Sequence, residues 1–262
     1  MHKFLERESA PLEAQTWETL DKAMKGVVKN VLAGRRLLEL EGPFGLGLKA
    51  VPLRDVEVQP GMSTSPLLPL TLLHVEFTLG RRDLAAFERD RFPLNLGPLV
   101  EAATELARLE DGLLFNGGPG APGLLTLDGV NTASLSPWDE MGAAAQDVIN
   151  AVTALDAAGF HGPYALALPP ARYNLLYRRN LQGNISELEH VRTIATEGVF
   201  KAPVLEDKGV VVAFGRQYAS IVIGQDMSIA FVGPVGDSLE FTIVESLALF
   251  VRQPGAVCVL GA

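Results

Sequence analysis

The sequence predicts an α+β fold, and three observations carry that prediction. Apolar residues recur at helical spacing over residues 11–33 and again from Leu99 to Leu113. Extended stretches occupy residues 37–80 and most of the last third of the chain. Helical and extended segments do not alternate strictly, which argues against a doubly wound parallel sheet.

Pro11 is a start signal for the first helix. Trp17, Leu20, Met24, Val27 or Val28, and Val31 form its apolar stripe, with Glu18, Lys22, Lys25 and Lys29 opposite. Gly34 is the expected stop. Leu38-Glu39-Leu40 alternates, Val51 to Val58 mixes apolar with charged residues, and Gly61 to Pro66 reads as a loop tip. Leu72 to Leu79 reads as the returning strand. Such a two-stranded arm has little core of its own and is marginal alone, so it is expected to lie on a neighbour.

The second helix carries Leu99, Ala102, Leu106, Leu109 and Leu113 on one stripe and ends at Gly117-Gly118-Pro119-Gly120. Pro137-Trp138-Asp139-Glu140 is expected to open a third helix that runs to about Ala157 and closes at Gly159. Tyr164–Leu168 is a short strand, and Pro170 starts a helical turn through Arg178. Asn180–Asn184 is a polar loop, and Ile185–Thr196 is helical. Val210–Phe214 and Ile221–Ile223 are strands. The turn Gly224-Gln225-Asp226 feeds a strand at Ser228–Phe231, and Gly233-Pro234-Val235-Gly236-Asp237 precedes another at Phe241–Ser246.

Composition narrows the function. With 262 residues the chain can bury a large core. Hydrophobic residues make up 48%, and the mean hydropathy is +0.21, apolar for a monomer, which leans toward subunit interfaces. A net charge of −9 argues against binding nucleic acid over a broad surface. The single cysteine, Cys258, excludes an intrachain disulfide, and its apolar surroundings point to a buried thiol. Met1 to Arg7 is too charged for a signal peptide, and no uncharged apolar run approaches the ~18 residues of a membrane span. A cytoplasmic location is expected.

No motif supports catalysis. Gly118-Pro119-Gly120-Ala121-Pro122-Gly123 matches G-x-G-x-x-G but follows a helix, and its prolines have no N–H to offer a pyrophosphate. A single Glu187-x-x-His190 step falls short of a di-iron site, which needs two such steps and two further glutamates. His2, His74, His161 and His190 are scattered, and no G-x-S-x-G elbow occurs. No enzyme activity, metal or cofactor is expected.

The order and spacing of several short motifs resemble encapsulin shell proteins. These are Ala10-Pro11-Leu12 with Trp17, Gly34-Arg35 with Glu41-Gly42-Pro43, Pro69-Leu70 through Phe77-Thr78-Leu79, Gly162-Pro163-Tyr164, and Gly224-Gln225-Asp226 with Ser228-Ile229. The resemblance runs from about Phe4 to Leu260. It implies the Hong Kong 97-type phage capsid fold, with an amino-terminal helix and first part of a peripheral domain at 1–44 and an extended E-loop arm at 45–79. The rest of the peripheral domain, with its spine helix, would follow at 80–136, an axial domain at 137–223, and returning strands at 224–262. It also implies an icosahedral homo-oligomer, of about sixty subunits in the smallest form. Such a shell encloses a dye-decolorising peroxidase or ferritin-like enzyme through that enzyme's carboxyl-terminal targeting peptide. By the same resemblance Val28, Leu32 and Ile229 are apolar contacts for the peptide, with Arg35 and Glu39 as polar contacts. Leu181, Gln182, Gly183, Asn184 and Ile185 would line a pore. Some relatives carry flavin beside an aromatic after the Phe-Thr-Leu strand. Here that position reads Gly80-Arg81-Arg82-Asp83, so no flavin is expected.

Overall fold

The computed structural model describes residues 3–118, 120–179 and 185–261. In chain order, α1 (Ala14–Val31) and the single turn α2 (Gly34–Leu37) lead to β1 (Glu39–Glu41). The strands β2 (Ala50–Pro52), β3 (Val56–Gln59), β4 (Met62–Thr64) and β5 (Leu67–Pro69) make the arm, and β6 (Thr71–Gly80) returns from it. Next come α3 (Arg81–Asp90), α4 (Gly97–Asn116) and the short strands β7 (Gly117–Gly118), β8 (Ala121–Pro122) and β9 (Asn131–Ala133). The middle holds α5 (Ala143–Ala157), β10 (Tyr164–Leu168), α6 (Pro170–Leu175), α7 (Glu187–Ile194), β11 (Gly198–Lys201), β12 (Gly209–Ala213) and β13 (Ala219–Ile223). β14 (Ser228–Val235), β15 (Ser238–Val251) and β16 (Val257–Leu260) close the chain. The chain forms two units. The first holds residues up to 32, then 42–110 and 223–248, and the second holds 33–41, 111–222 and 249 onward.

In the first unit β15 lies between β6 and β14 and is antiparallel to both. Period-two alternation puts Leu239, Phe241 and Ile243 on one face, directly opposite Leu79, Phe77 and Val75 of β6. Phe241 is fully buried, stacks on Phe77 at 5.3 Å between centroids and meets Trp17 of α1 edge-on at 5.8 Å. Leu20, Met24 and Val28 from α1 and Leu99, Ala103 and Leu106 from α4 complete this core.

The structure corrects several boundaries in this unit. α1 starts at Ala14, not Pro11, because its first turn is fixed from outside. The Glu88 carboxylate of α3 accepts from the Glu13 backbone N–H at 2.8 Å and from the Thr16 hydroxyl at 2.6 Å, which also suits the positive end of a helix. α3 has no counterpart in the sequence reading. It is highly charged and buries only Leu84, so few apolar residues mark it in the sequence. The expected loop tip at 61–66 is a tighter turn at Pro60-Gly61, with Gly61 at φ +75°, and Met62–Thr64 already belongs to the returning strand.

The second unit is built on the sheet β11-β10-β12-β16-β9. β10, β12 and β16 are buried on both faces, as their near-continuous apolar runs require. α5 lays Val148, Ala151 and Leu155 into the core they form. Cys258 on β16 is fully buried, and burial pushes its thiol up to about 11. The turn into α2 is held by Asp111, whose carboxylate accepts from the backbone N–H groups of Ala33 and Gly34, both at 2.9 Å. A Cβ at Gly34 would meet Leu114 Cδ1, so a larger residue there must displace that side chain.

α5 begins at Ala143, not at Pro137. The segment before it is captured side chain by side chain. Asp147 Oδ2 accepts from the Ser136 N–H at 2.7 Å, the Ser136 hydroxyl at 2.8 Å and the Trp138 indole N–H at 2.8 Å. Arg178 donates to the Trp138 carbonyl at 2.7 Å and pairs with buried Glu187 at 2.8 Å, and Glu187 accepts from the Gly142 N–H at 2.7 Å. Trp138 sits at φ +64° with its ring buried, a conformation incompatible with a helix start. α7 is also shorter than expected, because Ser186 caps it through a reciprocal capping box with Glu189.

Asp147→Ala strips three hydrogen bonds from a buried carboxylate and leaves the Trp138 N–H without its acceptor. A loss of about 3 kcal/mol is expected, read as a lower urea midpoint with an unchanged slope. An unchanged midpoint would show that packing of the Trp138 ring alone holds the segment.

Candidate functional site

The arm is the most exposed apolar feature of the first unit. β2 pairs with β5, β3 pairs with β4, and both ladders are antiparallel and short. Val56, Val58, Met62, Leu67 and Leu72 are each more than half exposed. A two-stranded ribbon has no second layer on which to bury such side chains. Covering them gains about 1 kcal/mol each, so the arm is stabilised only when another surface lies on it.

The residues expected to meet a targeting peptide fall in different environments. Val28, Leu32 and Ile229 are 9%, 3% and 0% exposed and belong to the core that holds Trp17 and Phe241. The Ile229 carbonyl accepts from Arg7 Nε at 2.8 Å, and Arg7 is itself paired with Asp21. Arg35 on α2 and Glu39 on β1 are half-buried residues of the second unit. Glu39 accepts from Arg216 Nε at 3.2 Å.

Of the expected pore residues, Leu181, Gln182, Gly183 and Asn184 lie outside the described residues. Ile185 is 58% exposed. On either side of the segment the backbone is pinned by a bridge between Arg179 and Ser186 and by the Arg178–Glu187 ion pair.

A cluster that sequence reasoning missed lies beside Glu39. Arg252 donates to Glu41 Oε1 at 2.8 Å and to the Ser220 hydroxyl at 2.8 Å, and Ser220 donates to the same carboxylate. Partial burial works to raise the Glu41 pKa. It is outweighed by the hydrogen bonds from Ser220 and Arg252 and by the charges of Arg252 and Arg216, so the carboxyl titrates below its usual range. These partners are about 180 and 210 residues distant in sequence, and no local motif marks them.

Among the described residues, no group of three or more His, Cys, Asp or Glu could hold a metal ion. No helix among them is long and apolar enough to cross a membrane.

The family model described as encapsulating protein for peroxidase matches residues 1–248. The type 1 encapsulin shell protein EncA of Myxococcus xanthus (strain DK1622) is 30% identical over 278 residues, spanning 99% of this chain and 97% of the relative. A virus-like particle from Pyrococcus furiosus superposes with a TM-score of 0.77 at 22% identity, covering 94% of this chain and 100% of the other. The capsid of Myoviridae phage XM1 gives 0.62 at 16% identity, covering 87% and 90%. The chain belongs to the encapsulin family of shell proteins, and its fold is the Hong Kong 97-type capsid fold.

Acid is expected to weaken this subunit through Glu41. Its stabilisation is complete above the unfolded-state value of about 4.3. It is lost as pH falls through the lowered folded-state value, because the unfolded chain takes up the proton first. Glu41→Gln should unfold earlier in denaturant than the native protein at neutral pH and converge with it as pH falls below the lowered folded-state value. Parallel midpoint curves for the two proteins would rule Glu41 out as a source of acid sensitivity.

Proposed function

We propose that this chain closes into a shell of about sixty copies, in the cytoplasm, around a cargo enzyme of the peroxidase or ferritin-like class. The observation that carries this reading is the arm: a member of a shell-protein family carries a ribbon of exposed valine, methionine and leucine that has no core of its own. The cargo would be retained by its carboxyl-terminal targeting peptide. The same reading keeps Val28, Leu32 and Ile229 as apolar contacts for that peptide and Arg35 and Glu39 as polar ones. It also keeps Leu181–Ile185 as the lining of an opening for small substrates. The acidic balance of the chain, −9, suits protein cargo better than a packaged genome.

Electron microscopy of the purified protein tests the reading directly. Uniform hollow particles free of nucleic acid are expected, and a monodisperse monomer would sink it. Replacing residues 56–64 by a short Gly-Ser link removes β3, β4 and the turn between them. That variant should give soluble subunits or open fragments, and intact shells of native heat resistance would show that the arm does not hold the assembly.

Loading is tested at Arg35 and Glu39, because Leu32 is so buried that Leu32→Asp would prevent folding rather than report on cargo. Arg35→Ala is expected to leave assembly intact and reduce co-purifying cargo several-fold, with a smaller effect for Glu39→Ala. Native loading by both variants would place the peptide elsewhere.

A further inference from the structure

We infer that the groove between β6 and α4 is a docking site for a basic, extended segment of a partner protein, which adds to β6 as a further strand.

β6 is hydrogen-bonded to β15 along one edge, and no strand pairs with its other edge among the described residues. An unpaired edge presents alternating N–H and C=O groups, a template for strand addition. Here that edge borders an open groove. Four consecutive residues, Val75 to Thr78, form one wall of a groove of about 650 Å³, and α4 from Pro98 to Arg108 forms the other. The dimensions agree. Four extended residues span roughly 13 Å, and eleven helical residues span roughly 16 Å. Both walls therefore serve a segment of about four residues.

The chemistry of the walls selects the occupant. Val75, Phe77 and Ala102 supply an apolar floor, and Val100 remains 39% exposed at its side. The rim is acidic. Glu76 on the strand faces the groove together with Glu101 and Glu105, one turn apart on the helix. Among the described residues the only cation lining it is Arg108, which stands 3.9 Å from Glu105 and is largely exposed. Three carboxylates against one guanidinium favour lysine or arginine at alternate positions of the incoming strand, with apolar residues between them. The arm of a second copy does not complement this rim. Over residues 49–57 it carries Lys49 and Arg54 against Asp55 and Glu57, with no net charge.

The test uses the full-length protein and fluorescence anisotropy with a short labelled peptide alternating valine and lysine. Saturable binding that weakens with added salt is expected. The double variant Glu101→Lys, Glu105→Lys changes two exposed side chains and should weaken binding by about tenfold or more. Light scattering confirms that the variant keeps its native particle size. The same peptide N-methylated at alternate amides keeps its charge but cannot complete a strand ladder, and should not bind. A valine–glutamate peptide should not bind either. Undiminished binding by the charge-reversed variant, or by the N-methylated peptide, overturns the inference. So does an absence of binding to native protein, or a reconstruction of the particle in which a second copy fills the groove along β6.

Discussion

Phe241 fixes the layers of the first unit. Its ring meets Phe77 from β6, Phe231 from β14 and Trp17 from α1, all within 6 Å between centroids. It therefore ties both flanking strands and the amino-terminal helix to the middle strand. Because side chains alternate along β15, the position of Phe241 also sets that of Leu239 and Ile243, and a slip of one residue would turn all three outward. The sheet register, the seat of α1 and the direction in which β6 leaves toward the arm follow from that one pairing.

Burial is concentrated at this point and absent from the arm. The core residues around Phe241 are nearly all below 10% exposure, whereas Val56, Val58, Met62 and Leu67 of the arm are above 50%. Each unit thus folds on its own core, and the arm contributes nothing to that core. Folding and assembly draw on separate surfaces. A substitution at Ile229 or Leu32 acts on core packing, and under the proposed reading one at Val58 or Met62 would act on contacts between subunits.

The sequence carried the elements that bury a regular stripe. The stripes of α1 and α4 were legible because their apolar residues recur over many turns. The strands β10, β12 and β13 were legible as short apolar runs. The two misplaced helix starts share one cause, namely partners outside the local sequence. Glu88 decides where α1 begins, and Asp147, Arg178 and Glu187 together decide that 136–142 is not helical. α3 was missed because a ten-residue, mostly charged helix that buries one leucine offers few apolar residues to read. The candidate site was legible only through resemblance. Nothing in the residue types at Arg35 or Glu39 distinguishes them from solvated charges, and the Glu41–Ser220–Arg252 cluster has no local signature at all.

Three of the buried carboxylates do the same work. Asp111, Asp147 and Glu187 are buried and accept hydrogen bonds from backbone N–H groups at the ends of irregular segments. A buried carboxylate costs free energy unless its oxygens are saturated, and a turn or loop supplies N–H groups that no helix or strand has used. The two requirements satisfy each other. That pairing explains why the second unit tolerates a non-helical stretch before α5 and a close-packed glycine at the turn into α2, where local propensity alone would extend the helices. In each case a carboxylate carried by a helix holds a neighbouring irregular segment. Neutralising one of them would therefore loosen a connection while leaving the hydrogen-bonded strands it joins intact.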